Sequence, residues 1–371
     1  LMTLVGGAGH LDPLLPVARA LAGAGHEVAV AGSGGQVARV VADGFTALPT
    51  SEPRPPAQPS GERTPLEPVD RIAAEVEFAE NFADRATRRH LGVVPGLLRE
   101  WRPDVVVREE TDFGTAMACE LAGVPCATLL ILSAGTLPRP DLVAPRLEAI
   151  RAEHGLPPDP ALATLGRDLV LAPFAPSFRD PSAPLSATAL PYRPRPMAPQ
   201  ADGSLVYVSL GTVFNLDSGD LFERLLAGLA DVPAEVLVTI GRNLDPARFG
   251  PQPGHVRVEQ YVAQEGVLPQ VGLVVSHGGS GSLMGALEHG VPSVLTPLGA
   301  DQPHNAQRAA DLGVARVLDA AAATPAEIAA AVVATLADDA AHRRARSIKA
   351  EIDALPDVAV VVPRLEQLAT H

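Results

Sequence analysis

The chain has 371 residues, more than one ordinary hydrophobic core uses, so two domains are expected. Hydrophobic residues make up 47% and charged residues 19%, a balance that is typical of globular proteins and excludes a disordered or low-complexity chain. The formal net charge of −14, without a visible basic patch, argues against nucleic acid or an anionic membrane surface as a partner.

Apolar segments and helical periodicity alternate through the first half of the chain. A strand Leu1–Val5, a helix Leu14–Ala24 and a strand Glu27–Ala31 predict a β-α-β start. Proline-rich residues 49–68 predict a long loop, and loops of this length are usually functional. The remaining predicted elements of this half are helices Arg71–His90, Val94–Trp101 and Phe113–Ala122 and strands Asp104–Val107 and Pro125–Leu132.

A second proline-rich tract, Pro181–Pro199, separates this half from a new series of elements, so residues 181–200 are the predicted linker. The predicted strands of the second half are Leu205–Ser209, Glu235–Ile240, Val256–Gln260, Leu273–Ser276, Ser293–Pro297 and Ala315–Leu318. Its predicted helices are Leu221–Ala230, Ser282–His289, Asn305–Leu312 and Pro325–Ala337. Such alternation predicts two α/β domains with parallel, Rossmann-like sheets, residues 1–190 and 201–353, whose ligands bind at the carboxyl ends of the strands.

The two cysteines, Cys119 and Cys126, share an apolar neighbourhood without the spacing of a metal or redox motif. We therefore expect reduced thiols and a cytosolic location. Apolar stretches such as Val124–Ser133 are shorter than the roughly 20 residues that span a bilayer, and no signal-peptide pattern opens the sequence. The sequence thus predicts a protein without a membrane partner.

The most specific string is Ser276–Ser282, which leaves a predicted strand and opens a helix. Glycines allow a close backbone approach, and the amino terminus of a helix presents unpaired N–H groups and partial positive charge, which suit a diphosphate. A glycine turn with a structural histidine is the alternative interpretation. The candidate diphosphate-binding residues are His277, Gly279, Ser280, Gly281 and Ser282.

Other strand ends of the second half add polar side chains. Asp301 and Gln302 follow the next strand, where a carboxylate beside an amide suits sugar hydroxyls. Thr212 follows the first strand of this half and is expected near the phosphates, although an ordinary turn is an equal interpretation. Tyr261 is a candidate for stacking on a nucleobase and Gln264 follows it, but a lone tyrosine after a strand more often packs in a core.

The string Gly6–Pro13 in the first half looks like a dinucleotide fingerprint and fails as one. Asp12 stands where a third small residue is needed, and the second strand lacks the acidic residue that binds a ribose. What remains is His10, an imidazole at a strand end that is suited to act as a general base. We expect a helix beginning near Leu14 to keep this imidazole neutral.

A histidine base needs a carboxylate to orient it, and the fourth strand ends in acidic residues. Glu109 is the first candidate and Asp112 the second, with a solvated acidic turn as the alternative. No Asp-x-Asp pair occurs, so the sequence does not support a metal ion that holds a diphosphate. The histidines interpreted as structural or surface residues are His26, His90, His154, His255, His289 and His304.

Together these motifs resemble, over the whole chain, the inverting GT-B glycosyltransferases that decorate plant and actinobacterial secondary metabolites from nucleotide sugars. His10 matches the family's catalytic base, and Glu109 best matches the acidic residue that pairs with it about a hundred positions later. In this resemblance the proline-rich segment 49–68 is an acceptor-side lid, and residues 354–371 are a helix that returns to the first domain. The residues that match the donor signature are Tyr261, Gln264, His277, Gly279, Ser282, Asp301, Gln302 and Pro303.

The departures from the family pattern concern the donor. Tyr261 and Ala263 stand where plant relatives have Trp and Pro, and Gly285 stands where they have a Glu that grips both ribose hydroxyls. The resemblance therefore favours a dTDP-sugar over a UDP-sugar. The abundance of Gly, Pro and Ala is similar to that of actinobacterial chains, which attach deoxysugars to antibiotic aglycones.

The resemblance implies that His10 activates a hydroxyl or aromatic carbon of a hydrophobic natural-product aglycone, which displaces the nucleoside diphosphate with inversion. It implies neither a bound cofactor nor a metal. Two alternatives share the donor motif, namely a nucleotide-sugar 2-epimerase and a catalytically silent nucleotide-sugar-binding accessory protein. The failed fingerprint argues against a Rossmann oxidoreductase.

Overall fold

The computed structural model describes residues 1–53, 66–201, 203–211, 216 and 218–370. These residues form two compact units. The amino-terminal unit contains the described residues up to 53, residues 72–196 and those from 355 onward. The carboxy-terminal unit contains the described residues among 66–71 and 197–354.

The amino-terminal unit is built on a parallel sheet whose seven strands lie in the order β3-β2-β1-β4-β5-β6-β7. In the central pair, Met2 lies opposite Val107 and Thr3 opposite Arg108, so the loops after β1 and β4 begin side by side. The strands are β1 Met2–Thr3, β2 Ala29–Ser33, β3 Thr46–Ser51, β4 Val106–Glu109, β5 Cys126–Leu129, β6 Leu169–Ala172 and β7 Ala189–Pro191.

Helices cover this sheet and bury their apolar faces in one hydrophobic cluster. A π-helical stretch, Ala79–Ala86, joins two of them into one helical segment. Val361 and Leu365, from the last helix, lie in the same cluster. The helices are α1 Ala8–Leu11, α2 Leu14–Gly23, α3 Val37–Ala42, α4 Arg71–Phe78, α5 Thr87–Trp101, α6 Phe113–Ala122, α7 Pro140–Glu153 and α14 Val361–Ala369.

Several elements of this unit differ from the sequence prediction. The helix does not break between residues 90 and 94, because Leu91, Val94 and Leu98 continue the buried face of α5 past its internal proline. Strands β3, β6 and β7 and helix α7 were not predicted, and β7 lies within the predicted linker 181–200. Of the predicted lid 49–68, residues 54–65 lie outside the described part of the chain.

The carboxy-terminal unit has a second parallel sheet, of six strands in the order β10-β9-β8-β11-β12-β13. Ser276 lies opposite both Ser209 and Leu295, so the loops after β8, β11 and β12 begin at one edge. The strands are β8 Leu205–Ser209, β9 Val236–Thr239, β10 Val256–Glu259, β11 Val271–Ser276, β12 Ser293–Leu295 and β13 Ala315–Val317.

The helices of this unit follow the predicted alternation, with α9 and α13 as two additions that were not predicted. The agreement of the described strands and helices with two α/β units built on parallel sheets confirms the predicted fold class. The helices are α8 Leu221–Leu229, α9 Gln264–Val267, α10 Ser280–Glu288, α11 Gln302–Asp311, α12 Pro325–Leu336 and α13 Asp339–Ala354.

Candidate active site

His10 lies in the last turn of the short helix α1, which follows β1. Its side chain keeps 21% of its surface exposed. Gly6 is required here because a Cβ atom at that position would collide with the imidazole. Helix α2 begins at Leu14, as predicted, and His10 lies in the separate turn before it.

Glu109 is the last residue of β4 and is fully buried. Its carboxylate accepts hydrogen bonds from the Thr111 amide at 2.7 Å and the Thr111 hydroxyl at 2.8 Å, and from the Val5 amide at 3.3 Å. It also lies 3.1 Å from Nδ1 of His10. A carboxylate in this position makes Nδ1 the donor, so the neutral imidazole carries its lone pair on Nε2. The arrangement is that of an oriented general base.

Asp112, the second candidate partner, faces a different histidine. It caps α6 by accepting the Thr115 amide at 3.0 Å, and it accepts the hydroxyls of Thr3 and Thr115, each at 2.7 Å. His90 Nδ1 lies 3.0 Å from its carboxylate, and both side chains are fully buried. Although burial opposes ionisation, His90 and these hydrogen bonds hold the pKa of Asp112 well below its usual range. The contacts of Asp112 therefore stabilise the start of α6.

Glu110, which the sequence reading did not single out, follows Glu109. The Leu132 amide donates to its carboxylate at 2.7 Å. Burial raises the pKa of Glu110 to about 7, although Arg179 favours the charged form. This carboxyl group consequently titrates near neutral pH.

An aromatic side chain also contacts the candidate base. The ring of Phe82 stacks on the His10 imidazole with centroids 5.6 Å apart and an interplanar angle of 20°. Phe78 lies 4.9 Å behind Phe82, and Phe113 packs edge-on against Phe78 at 6.5 Å. No sequence motif indicated these contacts, because they depend on how the helical segment packs over the strand ends.

In the carboxy-terminal unit, the glycine-rich string joins the buried strand β11 to α10. Gly278 has a φ of +85°, a conformation that favours glycine, and Gly279 is the residue before the helix. Asn305 Nδ2 donates to the Gly278 carbonyl at 3.1 Å and holds the loop. The loop therefore leads directly from the end of β11 into the first turn of α10.

His277 is 9% exposed and lies against two glycines. A Cβ atom at Gly211 or at Gly279 would approach its ring to 2.7 Å, so both positions must lack a side chain. Burial lowers the pKa of His277, while Asp301 and a hydrogen bond with the Ser209 backbone oppose that shift. The imidazole is therefore neutral at pH 7 and serves as a hydrogen-bonding group.

Ser280 and Asp301 meet at the start of α10. The Ser280 hydroxyl donates to the Asp301 carboxylate at 2.8 Å. Asn305 Nδ2 lies 2.7 Å from the same carboxylate oxygen and 3.1 Å from the Ser280 hydroxyl. The structure thus brings together two predicted site residues and adds Asn305, which the sequence reading placed only as the start of a helix.

Gln302 is 1% exposed, and its amide oxygen accepts the backbone N–H groups of Leu298 at 2.7 Å and Gly299 at 3.2 Å. The side chain therefore fixes the turn before α11, in which Ala300 has a positive φ of 52°. Gln302 acts on the neighbouring Asp301 by shaping this turn.

Tyr261 leaves 54% of its surface exposed. The Arg242 guanidinium lies 3.7 Å from the centre of its ring, a cation–π contact. Gln264 is the first residue of α9 and donates to the Tyr207 hydroxyl at 3.3 Å. Tyr261 is thus an exposed ring that Arg242 covers on one face, whereas Gln264 contacts strand β8.

The remaining predicted donor residues lie at the amino terminus of α10 or outside the described chain. Ser282 is half-buried in the first turn of the helix, and Gly281 before it is exposed. Thr212 lies outside the described residues.

A cavity of about 460 Å³ in the amino-terminal unit lies apart from the predicted site residues, none of which lines it. Its lining includes Cys119 and Cys126, which are both free.

In the described part of the chain, no three His, Cys, Asp or Glu side chains are grouped so that they could bind a metal ion. Among the same residues, no helix has the length and apolar character that a membrane crossing requires.

Comparison with known proteins finds a family match in the second half of the chain. Residues 223–368 match the family described as the C-terminal domain of erythromycin biosynthesis protein CIII-like proteins, EryCIII-like_C. The chain is 28% identical to the tylactone mycaminosyltransferase of Streptomyces fradiae, across 99% of this chain and 92% of that protein.

Solved structures resemble the chain over its full length. The glycosyltransferase SnogD from Streptomyces nogalater superposes with a TM-score of 0.75 and 26% identity, across 99% of this chain and 98% of SnogD. The glycosyltransferase VinC in complex with dTDP superposes with a TM-score of 0.73 and 24% identity, across 100% of this chain and 98% of VinC. The chain is therefore similar over its length to antibiotic glycosyltransferases of actinobacteria, and residues 223–368 match the EryCIII-like carboxy-terminal domain.

Proposed function

We propose that this glycosyltransferase moves a deoxysugar from a dTDP-sugar to a hydroxyl or aromatic carbon of a natural-product aglycone, with inversion and without a metal ion. The observation that carries the proposal is the 3.1 Å contact between His10 Nδ1 and Glu109. It makes Nε2 the basic nitrogen of a partly exposed imidazole, which suits it to take a proton from the acceptor.

In the proposed reaction with a hydroxyl acceptor, the hydroxyl proton passes to Nε2 of His10. The acceptor oxygen forms a bond to the anomeric carbon while the bond from that carbon to the diphosphate oxygen breaks. The electron pair leaves on the nucleoside diphosphate, and a single in-line displacement inverts the anomeric centre. Glu109 stabilises the imidazolium that forms, because its buried carboxyl group lies 3.1 Å from Nδ1.

The carboxy-terminal unit supplies the groups proposed to stabilise the leaving diphosphate. The first amides of α10, that of Ser280 among them, and the Ser282 hydroxyl present donors and a partial positive charge. Neutral His277 adds a hydrogen bond. Thr212 is a further proposed phosphate contact. Preorganised donors of this kind contribute about 3–4 kcal/mol each to transition-state stabilisation.

The sugar and the nucleobase of the donor are assigned to separate residues. Asp301, fixed by Ser280 and Asn305, is the proposed partner of the sugar hydroxyls. Gln302 is proposed to support it by shaping the turn, and Tyr261 is proposed to stack on the nucleobase. Gly285 has no side chain to grip a ribose 2′-hydroxyl, which favours deoxyribose. The structures of VinC and of the spinosyn rhamnosyltransferase SpnG, each in complex with this nucleotide, support the choice of dTDP.

The relatives support a polyketide or other antibiotic aglycone. They include the tylactone mycaminosyltransferase and a desosaminyl transferase that acts on 3-alpha-mycarosylerythronolide B. We propose an aglycone of the same hydrophobic class for this chain.

His10→Ala tests the proposed base. The variant should lose transfer to a macrolide or hydroxylated aromatic acceptor, while its affinity for dTDP, measured by calorimetry, stays within about twofold of the original. His277→Ala should weaken both transfer and dTDP binding, because it removes a donor of the diphosphate site. Unchanged turnover in His10→Ala would refute the assignment.

The donor and the metal are tested separately. In a thermal-shift panel, dTDP should raise the melting temperature more than UDP, GDP or NAD, since a ligand stabilises the state that it binds. Transfer should persist in excess EDTA. An activity that EDTA abolishes and Mg²⁺ restores would contradict the metal-free mechanism.

A further inference from the structure

The stack of His10 on Phe82 belongs to a larger aromatic group. Phe82 is half-buried, whereas Phe78 and Phe113 behind it are each only 4% exposed. Phe78 contacts both of the other phenylalanines, with its ring centre 4.9 Å from that of Phe82 and 6.5 Å from that of Phe113. We call His10, Phe82, Phe78 and Phe113 the aromatic column. One end of the column is the imidazole and the other end is fixed in the core.

The helical segment that carries Phe82 is specialised at this point. Phe82 lies inside the π-helical stretch Ala79–Ala86, between α4 and α5. Ala79, Ala83 and Ala86 bury one face of the stretch, and the Thr87 hydroxyl donates to the Phe82 carbonyl at 2.7 Å. π-Helical turns are rare and occur frequently at functional sites. The stretch, its small buried residues and the threonine bond together hold the Phe82 ring against the imidazole.

The imidazole is therefore restrained by three groups. Glu109 fixes the Nδ1 edge at 3.1 Å, the backbone of Gly6 contacts the ring, and Phe82 stacks on it nearly in parallel. A hydrogen bond to Nδ1 holds one atom of the imidazole and does not by itself fix the plane of the ring. A stacked ring removes this freedom, and its negative π face also stabilises the positive charge that develops on a histidine base.

We infer that Phe82 is a positioning residue for the transfer reaction, which fixes the plane of the His10 imidazole so that Nε2 points at the acceptor. The inference rests on the proposed function, because it assigns Phe82 a role through the base. Phe82 acts on the orientation and the charged state of His10 and leaves donor binding to the other unit. Its loss should therefore lower kcat and leave the KM for the donor unchanged.

Phe82→Leu and Phe82→Tyr test this inference together. Leucine keeps an apolar side chain without a ring, so kcat should fall at least tenfold while the KM values for donor and acceptor stay within about twofold. Tyrosine keeps the ring and should retain kcat within about threefold. Phe45→Leu, which makes the same change at a buried position of this unit outside the aromatic column, should leave kcat unchanged.

Other results would overturn the inference. It fails if Phe82→Leu keeps its kcat, if Phe82→Tyr loses as much as Phe82→Leu, or if only the KM for the acceptor rises, which would make Phe82 a wall of the acceptor site. If Phe82→Leu does not fold, as judged by its melting temperature and dTDP affinity, Phe82→Met takes its place under the same criteria. His10→Ala separates the two proposals, since a fully active His10→Ala refutes the base itself, whereas an inactive His10→Ala beside a fully active Phe82→Leu refutes only this role.

Discussion

Two histidine–glutamate pairs of the amino-terminal unit have nearly equal lengths and different surroundings. His10 and Glu109 are 3.1 Å apart, with a fully buried carboxylate, and His26 and Glu366 are 3.0 Å apart, with side chains 41% and 52% exposed. Water screens the exposed pair, so it contributes little. In the buried pair the carboxylate determines which imidazole nitrogen carries the proton. The environment, more than the distance, makes one pair a candidate for catalysis.

Glu109→Gln should lower kcat by roughly 10²–10⁴-fold, because a neutral amide stabilises neither the correct tautomer nor the imidazolium. The affinity for dTDP should stay unchanged. Steady-state kinetics with both substrates saturating would measure the loss. Glu366→Gln is the matched control and should retain full activity, whereas equal kcat values in the two variants would show that the buried carboxylate has no catalytic role.

The raised pKa of Glu110 predicts that the free energy of unfolding depends on pH. Its pKa rises from the ordinary 4.5 to about 7 on folding. Between these values the unfolded chain has released the proton and the folded chain still holds it, so this carboxyl lowers the stability of the fold progressively as the pH rises through this window. Glu110→Gln has no such titration. The variant should therefore gain up to about 3 kcal/mol relative to the original chain between pH 4.5 and pH 8.

Denaturant unfolding at both pH values would measure that gain. Glu27→Gln, a change at an exposed carboxyl of the same unit, should show the same stability difference at each pH. A pH-independent difference between Glu110→Gln and the original chain would contradict the raised pKa.

At the scale of an element, glycines leave room for the His277 imidazole in the loop between β11 and α10. His277 has one glycine on each of two loops beside it, and neither position tolerates a Cβ atom without a shift. The backbone of Gly279 has an ordinary φ of −62°, so alanine there meets crowding and no strain in the chain itself. We therefore expect alanine at this position to disturb the His277 ring more than the fold.

Gly279→Ala should weaken dTDP binding about tenfold or more, a loss of about 1.4 kcal/mol, because it displaces His277 from the proposed diphosphate site. Calorimetry with dTDP measures the affinity, and thermal unfolding checks that the fold persists. Gly254→Ala is the control, since a Cβ atom at that position meets nothing within 4 Å. Equal affinities in the two variants would argue against the role of the loop.

On the scale of the whole molecule, the last helix stabilises the amino-terminal unit although it follows the carboxy-terminal unit in the chain. Leu365 is 1% exposed within the amino-terminal cluster. Leu365→Ala should cost about 2–5 kcal/mol by leaving a cavity. The expected readout is a lower denaturant midpoint, and Gln367→Ala, at an exposed position of the same helix, should leave it unchanged within error. A stable Leu365→Ala would contradict this packing role.

The sequence predicted the fold well where local patterns determine structure. Apolar runs and helical periodicity predicted β8 and α6 at their observed bounds, and His10 and Glu109 follow or end adjacent strands. The sequence-based prediction failed where tertiary packing determines which side chains meet. The pairing of Asp112 with His90 joins residues 22 apart, and no local pattern distinguishes it from a pairing with His10.

Two further site features were invisible for the same reason. Asn305 reads as an ordinary helical residue until the turn of α11 brings it to Asp301, and Phe82 reads as one apolar position of a helix. The π-helical register changes which side chains share a face, and periodicity of 3.6 residues does not anticipate it.

The π-helical stretch also implies that this helix carries one residue more than a regular spiral would need. Removing a single alanine from Ala79–Ala86 would return the segment to an ordinary pitch and rotate everything beyond it by about 100° relative to α4. Phe82 and His90 could then no longer both meet their present neighbours. The number of residues between α4 and α5 is therefore constrained by the contacts of Phe82 and His90 together.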